Sequence, residues 1–177
     1  MNNLGQGGRF YSGSIPVGPI VTQHSIPTQT SAVSVILRAG MACGVLDLTA
    51  AFVNWGLQGV SPYRILQAIA SGLLGADSFH GGWTTALLGL ACHFFIAFCA
   101  ATVFYSGSYK LKFMTERPIL AGFAFGIAVY LVMYWLVMPL SRIEPMPFSM
   151  VRSLIAIVTH MFCVGLPISF TVRRYTA

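Results

Sequence analysis

Three ionisable residues sit where the surrounding sequence avoids water. Asp47 lies within "GVLDLTAAF", His93 within "ALLGLACHFFIAFC" and His160 within "VTHMFCVG". Each is near the midpoint of an apolar run of about twenty residues. A lone carboxylate at the centre of a bilayer costs about 2.5–3.5 kcal/mol on insertion scales, so it is expected to be neutral or paired. Histidine titrates near neutrality. An acid and two histidines at one depth are therefore the parts of a proton or ion relay, and Asn54, two turns beyond Asp47, extends that set with a neutral polar group. A second chemistry uses the same residues. His93 and His160 fall on spans that run in the same direction and would ligate a haem from two sides, while His160 and Cys163 share a helix face suited to a soft metal. No haem-attachment or zinc-type spacing accompanies them, and no cofactor is expected on the leading reading. A third reading has the three side chains hydrogen-bond one another and simply tie helices together.

The elements that must position these groups follow from composition. The chain has 177 residues, of which 56% are hydrophobic and 8% charged. Soluble domains carry roughly 25% charged residues, so most of this surface faces something other than water. Four runs have the ~20 apolar residues that cross ~30 Å of hydrocarbon as a helix: about 35–57, 82–105, 118–138 and 149–172. The fold class expected is an all-α membrane protein, a four-transmembrane-helix bundle over residues 33–177. Between the first two spans, "SPYRILQAIASGLLG" opens with a Ser-Pro helix start. It places Ile65, Leu66, Ile69 and Leu73 on one face and Arg64, Gln67 and Ser71 on the other. That is an amphipathic helix of about 61–75, too short to span and suited to the interface. Residues 1–32 are rich in Gly, Ser, Pro, Thr and Gln without periodicity and read as a flexible tail.

Small and polar residues mark where helices approach in lipid. Gly40, Gly44, Asp47, Ala51, Asn54 and Gln58 form one such stripe. Gly82, Ala86, Gly89, His93, Ala97 and Ala100 form the second. Gly122, Gly126 and Tyr130 form the third. Ser149, Ser153, Ala156, His160, Cys163 and Pro167 form the fourth. All are expected to face the bundle interior. Gly122 and Gly126 also make a G-x-x-x-G that permits a homo-oligomer, although packing within the chain explains it equally well. Pro167 is expected to free the Cys163 carbonyl and mark a helix end.

The net charge of +6 does not point to nucleic acid, because Lys and Arg are scattered between apolar runs. Their distribution reads instead as topology. Arg38, Lys110, Lys112, Arg117, Arg173 and Arg174 flank one side, against Arg64, Arg142 and Arg152 on the other, which places both termini in the cytoplasm. Arg152 is expected to snorkel to the outer interface, and Tyr130, Tyr134 and Trp135 to serve as interface anchors or bundle packing. The partners expected are the lipid bilayer and a homo-oligomer or larger membrane complex. Cys43, Cys92, Cys99 and Cys163 all lie in apolar segments, which disfavours a disulfide framework. There is no nucleotide-binding loop, Ser-His-Asp arrangement or metalloprotease helix, so an enzyme acting on soluble substrates is not expected.

The order of these features resembles a group of uncharacterised four-span bacterial inner-membrane proteins. The resemblance runs through "AGMACGVLDLTAAFVNWG", "ACHFFIAF", "LVMPLSRIEPMPF" and "VTHMFCVG". It implies a bacterial inner membrane and a four-helix bundle, and it carries no activity. The function expected from the residues is a small transporter or proton-linked membrane factor. A haem- or metal-binding redox protein and a non-catalytic accessory subunit are the alternatives.

Overall fold

The computed structural model describes residues 31–144 and 147–176; of the tail expected over residues 1–32, only Ser31 and Ala32 lie within them, and these begin the first helix rather than ending a tail. Four helices are long and apolar enough to cross a membrane: Ala32–Gly56 (α1), Gly82–Ser108 (α3), Pro118–Leu140 (α5) and Met150–Tyr175 (α6). Two shorter helices join them, Pro62–Leu74 (α2) and Phe113–Glu116 (α4). The result is an all-α, four-helix bundle of a multi-pass membrane protein.

Local chemistry sets the boundaries. The Ser31 hydroxyl caps α1 by accepting from Ser34 N–H, and Ser61 caps α2 ahead of Pro62 in the same way. Gly59 and Gly75 adopt positive φ where the chain leaves α1 and α2. Pro118 occupies the first turn of α5, where no N–H is needed. Leu37, Met41 and Val45 of α1, Leu87, Phe95 and Val103 of α3, and Leu154, Val158 and Phe162 of α6 remain 48–69% exposed on outward faces. Such surface is at home in hydrocarbon and not in water.

In the bundle, α1 packs against α3 on one side and α6 on another, and α6 also packs against α5. Among the described residues, the four spans meet in a shared core at the end of the bundle where α1 starts and α6 finishes. There Val35, Ala39 and Cys43 meet Ala97, Ala101 and Phe104, together with Ala121, Val164, Ile168 and Val172. Phe104 and Phe125 close this core edge to face at 5.0 Å.

The crossing of α5 and α6 uses the expected glycines. A Cβ on Gly165 would fall 1.9 Å from the Gly122 carbonyl oxygen, and one on Gly126 would fall 2.5 Å from the His160 carbonyl oxygen. The G-x-x-x-G thus serves packing within the chain, against a third glycine on α6.

Both α5 and α6 carry a π segment just before a proline. Met133–Val137 precedes Pro139, and His160–Gly165 precedes Pro167. Met138 N–H reaches back to Met133 O, and Leu166 N–H to Met161 O. The wider register absorbs the missing proline donor. Pro167 therefore does not end the fourth helix as expected, since the chain continues helically to Thr176.

The interfacial helix differs from expectation in one respect. Its polar face turns toward protein, with Gln67 and Ser71 buried beside Ile65 and Ala70, while Leu73 is 58% exposed. Gln67 Nε2 donates to Gly82 O and to Thr85 Oγ1, both at 3.3 Å. Gly89 permits this contact, because a Cβ there would lie 1.9 Å from Leu66 O. The physical reason is that a carboxamide in a low-dielectric setting needs partners, and the first turn of α3 supplies them. The other end of α2 is held by Arg142 N–H donating to Gly72 O at 3.0 Å. The helix therefore bridges α3 and the chain following α5.

Candidate functional site

A cleft of about 500 Å³ lies between α1 and α5, with the first turns of α6 as its third wall. From α1 it is lined by Asp47, Ala51, Asn54 and Gln58, the lower part of the predicted polar stripe read in order. These positions follow the i, i+4, i+7, i+11 rhythm that keeps side chains on one helix face. From α6 come Ser149, Ser153, Ala156 and His160, again the predicted stripe. The α5 wall consists of Tyr130, Tyr134 and Met138, with the two tyrosine rings stacked at 5.9 Å. Gln58 and Phe148 stand at the rim, where the turn after α1 and the start of α6 lie. Asp47 and His160 stand deepest.

Within this cleft the groups differ in how well they are satisfied. His160 Nδ1 donates to Ala156 O at 2.8 Å, one turn back on its own helix. A neutral ring held in that tautomer carries its lone pair on Nε2. Tyr130 packs edge-on against the His160 ring at 6.0 Å and fixes its plane. Among the described residues, no hydrogen bond or ion pair reaches the half-buried Asp47 carboxylate. Its charge is nevertheless within electrostatic reach of Cys163, one turn beyond His160.

His93 is not part of this cleft. It lies at the expected depth but faces the other side of α1, where Nε2 donates to Gly44 O at 2.8 Å. The sequence expectation of a three-residue Asp47, His93 and His160 cluster is thereby corrected to Asp47 and His160, with Asn54 above them. α3 meets α1 at Gly40 and Gly44 through Phe98, Phe94 and Ala97, and the two histidines keep separate backbone partners, Gly44 O and Ala156 O. Nor do the three side chains hydrogen-bond one another, as the purely structural reading required. Among the described residues, no group of three His, Cys, Asp or Glu side chains comes together as a metal site. The reason for the misplacement is azimuthal. Depth can be counted along a helix, but α1 has two polar-compatible sides, and His93 uses the one lined by glycine.

Other cleft residues were visible in the sequence without their role. Tyr130 is buried and Tyr134 half-buried, so of the two expected readings bundle packing holds for them, whereas Trp135 is 72% exposed and fits the anchor reading. Arg152 reaches the rim and donates from its guanidinium to Pro147 O. Trp55 adds a further ring to the α1 wall. Spacing gave a hint, because Tyr130 continues the Gly122, Gly126 row.

Comparison of the chain with protein-family models, with curated proteins and with solved structures finds no match.

The His93 geometry carries a prediction. His93→Ala removes one interhelical hydrogen bond, and such bonds average about 0.6 kcal/mol in membrane bundles. The variant is expected to fold, with a small drop in thermal stability in detergent and no change in any cleft-dependent activity. His160→Ala is expected to reduce that activity at similar stability. Side-by-side thermal unfolding and transport measurements on the two variants check the distinction.

Proposed function

We propose that the protein is a small proton-linked transporter of the bacterial inner membrane, with both termini in the cytoplasm and the cleft open toward the opposite side. The observation that carries this reading is the Asp47 carboxylate, without a hydrogen-bond or ion-pair partner among the described residues, at the base of a cleft that also holds His160. A carboxylate at that depth is costly when charged and alone. It is comfortable either as the neutral acid or beside a cation. Those two states define an exchange: the protonated acid gives up its proton as a small cation arrives, and takes a proton back as the cation leaves. His160, on the facing wall of the same cleft, is a second group that can hold the proton during the exchange.

The walls suit a cation. Tyr130, Tyr134 and Trp55 offer ring faces, and Asn54, Ser149 and Ser153 offer neutral oxygens. A volume of about 500 Å³ is in the range of small-molecule sites. The π segments of α5 and α6 lie beside the cleft, and such segments often accompany functional sites in helices.

Uptake measured in liposomes tests the proposal. Purified protein is reconstituted around a pH-sensitive dye, an acid-inside gradient is imposed, and a panel of small organic and inorganic cations is added outside. The expected result is cation-dependent loss of the gradient, faster than in protein-free liposomes. Permeability to protons and to every cation tested that stays at the protein-free level would overturn the proposal and favour an accessory role.

A further inference from the structure

At the end of the bundle opposite the cleft, a second depression of about 380 Å³ is lined by Arg38, Phe170, Thr171, Arg174 and Tyr175. Arg38 comes from α1 and the others from the last turns of α6. The Arg38 guanidinium carbon lies 4.7 Å from the centre of the Tyr175 ring, and that of Arg174 lies 5.9 Å from it. Two guanidinium groups thus flank one ring, and their shared positive potential favours an anion beside them. Among the described residues no carboxylate pairs with either arginine.

Ordinary helix electrostatics accounts for only half of this arrangement. Arg173 and Arg174 in the last turn of α6 suit the negative end of the helix dipole. Arg38 gains nothing comparable, because it lies near the start of α1, where the dipole favours negative charge. It also stands beside the fully buried Ala39. Phe170, 47% exposed, provides an apolar edge next to the charged groups. The Thr171 side chain adds a hydroxyl donor.

We infer that Arg38, Arg174 and Tyr175 form a binding site for the phosphate group of an anionic phospholipid. Guanidinium groups match phosphate oxygens with paired N–H donors, and basic pockets between spans are a recognised setting for anionic headgroups. Phe170 would lie along the glycerol and first acyl carbons. The site is independent of the transport reading and stands if that reading fails. Lys110, Lys112 and Arg117, in the chain joining α3 to α5, add positive potential at the same end.

Native mass spectrometry of the detergent-purified full chain tests the site, with titrations of phosphatidylglycerol, phosphatidylcholine and inorganic phosphate. Phosphatidylglycerol is expected to bind most tightly. Arg38→Gln and Arg174→Gln are each expected to weaken it about fivefold, the effect of one basic group near an anionic surface. Arg64→Gln, at the other end, is expected to leave it unchanged. Each variant is first checked for monodispersity, and the two arginines provide independent tests if one variant does not fold. Equal binding of phosphatidylcholine and phosphatidylglycerol, or wild-type affinity in both arginine variants, would overturn the assignment. Inorganic phosphate binding as tightly as the lipid would also overturn it, since the source would then be a free anion.

Discussion

Gly165→Val is expected to yield little or no folded protein. The added side chain begins with a Cβ placed 1.9 Å from the Gly122 carbonyl oxygen and 2.9 Å from Gly126 N. Both are main-chain atoms of α5, so no rotamer change relieves the contact. The two helices must separate along the whole crossing. Overpacking that side chains can absorb costs about 1–3 kcal/mol. A backbone clash at a helix crossing exceeds that range, against a total stability of about 5–15 kcal/mol. Separation would also draw Tyr130 away from the His160 ring, so any surviving protein should lose cleft function. Yield of monodisperse protein on gel filtration is the measurement. Gly56→Ala is the control, because a Cβ there meets nothing within 4 Å, and it should behave as wild type.

Asp47→Asn is expected to abolish proton-coupled uptake while leaving the fold intact. The substitution preserves shape and removes the titratable proton. Among the described residues no partner is left orphaned, since the carboxylate makes no hydrogen bond or ion pair. The usual penalty for breaking a buried pair does not arise, and loss of a charged form at mid-span is neutral or favourable for insertion. Stability should therefore match or exceed that of the native chain. Uptake should fall to the protein-free level, and Asp47→Glu should retain a measurable fraction. Gradient-driven uptake in liposomes, with thermal unfolding of the same samples, separates a chemical role from a structural one.

Much of this was legible in the sequence because hydrocarbon imposes simple rules. Length and hydropathy place all four spans, and Ser61 and Pro118 mark helix starts by their own chemistry, whereas Ser31, read as part of the tail, caps α1 instead. The glycine and serine stripes on α1, α5 and α6 face inward as spacing requires. Two features were not legible. The side of α1 that His93 would choose depends on the rotation of α3 about its axis, and small residues on both sides of α1 leave that rotation open. The burial of Gln67 depends on α2 meeting the glycine at position 89, a contact that helical periodicity within α2 alone does not encode. The π segments are a third case: Pro139 and Pro167 announce a disturbed helix, but whether the chain kinks, stops or widens its register depends on the packing of α5 against α6.

The central claim is that water reaches Asp47 through the cleft from one side. In a chain with its four cysteines replaced, Ala51→Cys places a thiol one turn above Asp47 on the cleft wall, and Gln58→Cys places one at the rim. A membrane-impermeant maleimide applied to oriented vesicles reads both. The expected result is labelling of both positions from the side opposite the termini, and of neither from the side of the termini. Labelling of Gln58→Cys with none at Ala51→Cys would mean that the cleft is dry above Asp47, and would contradict the account.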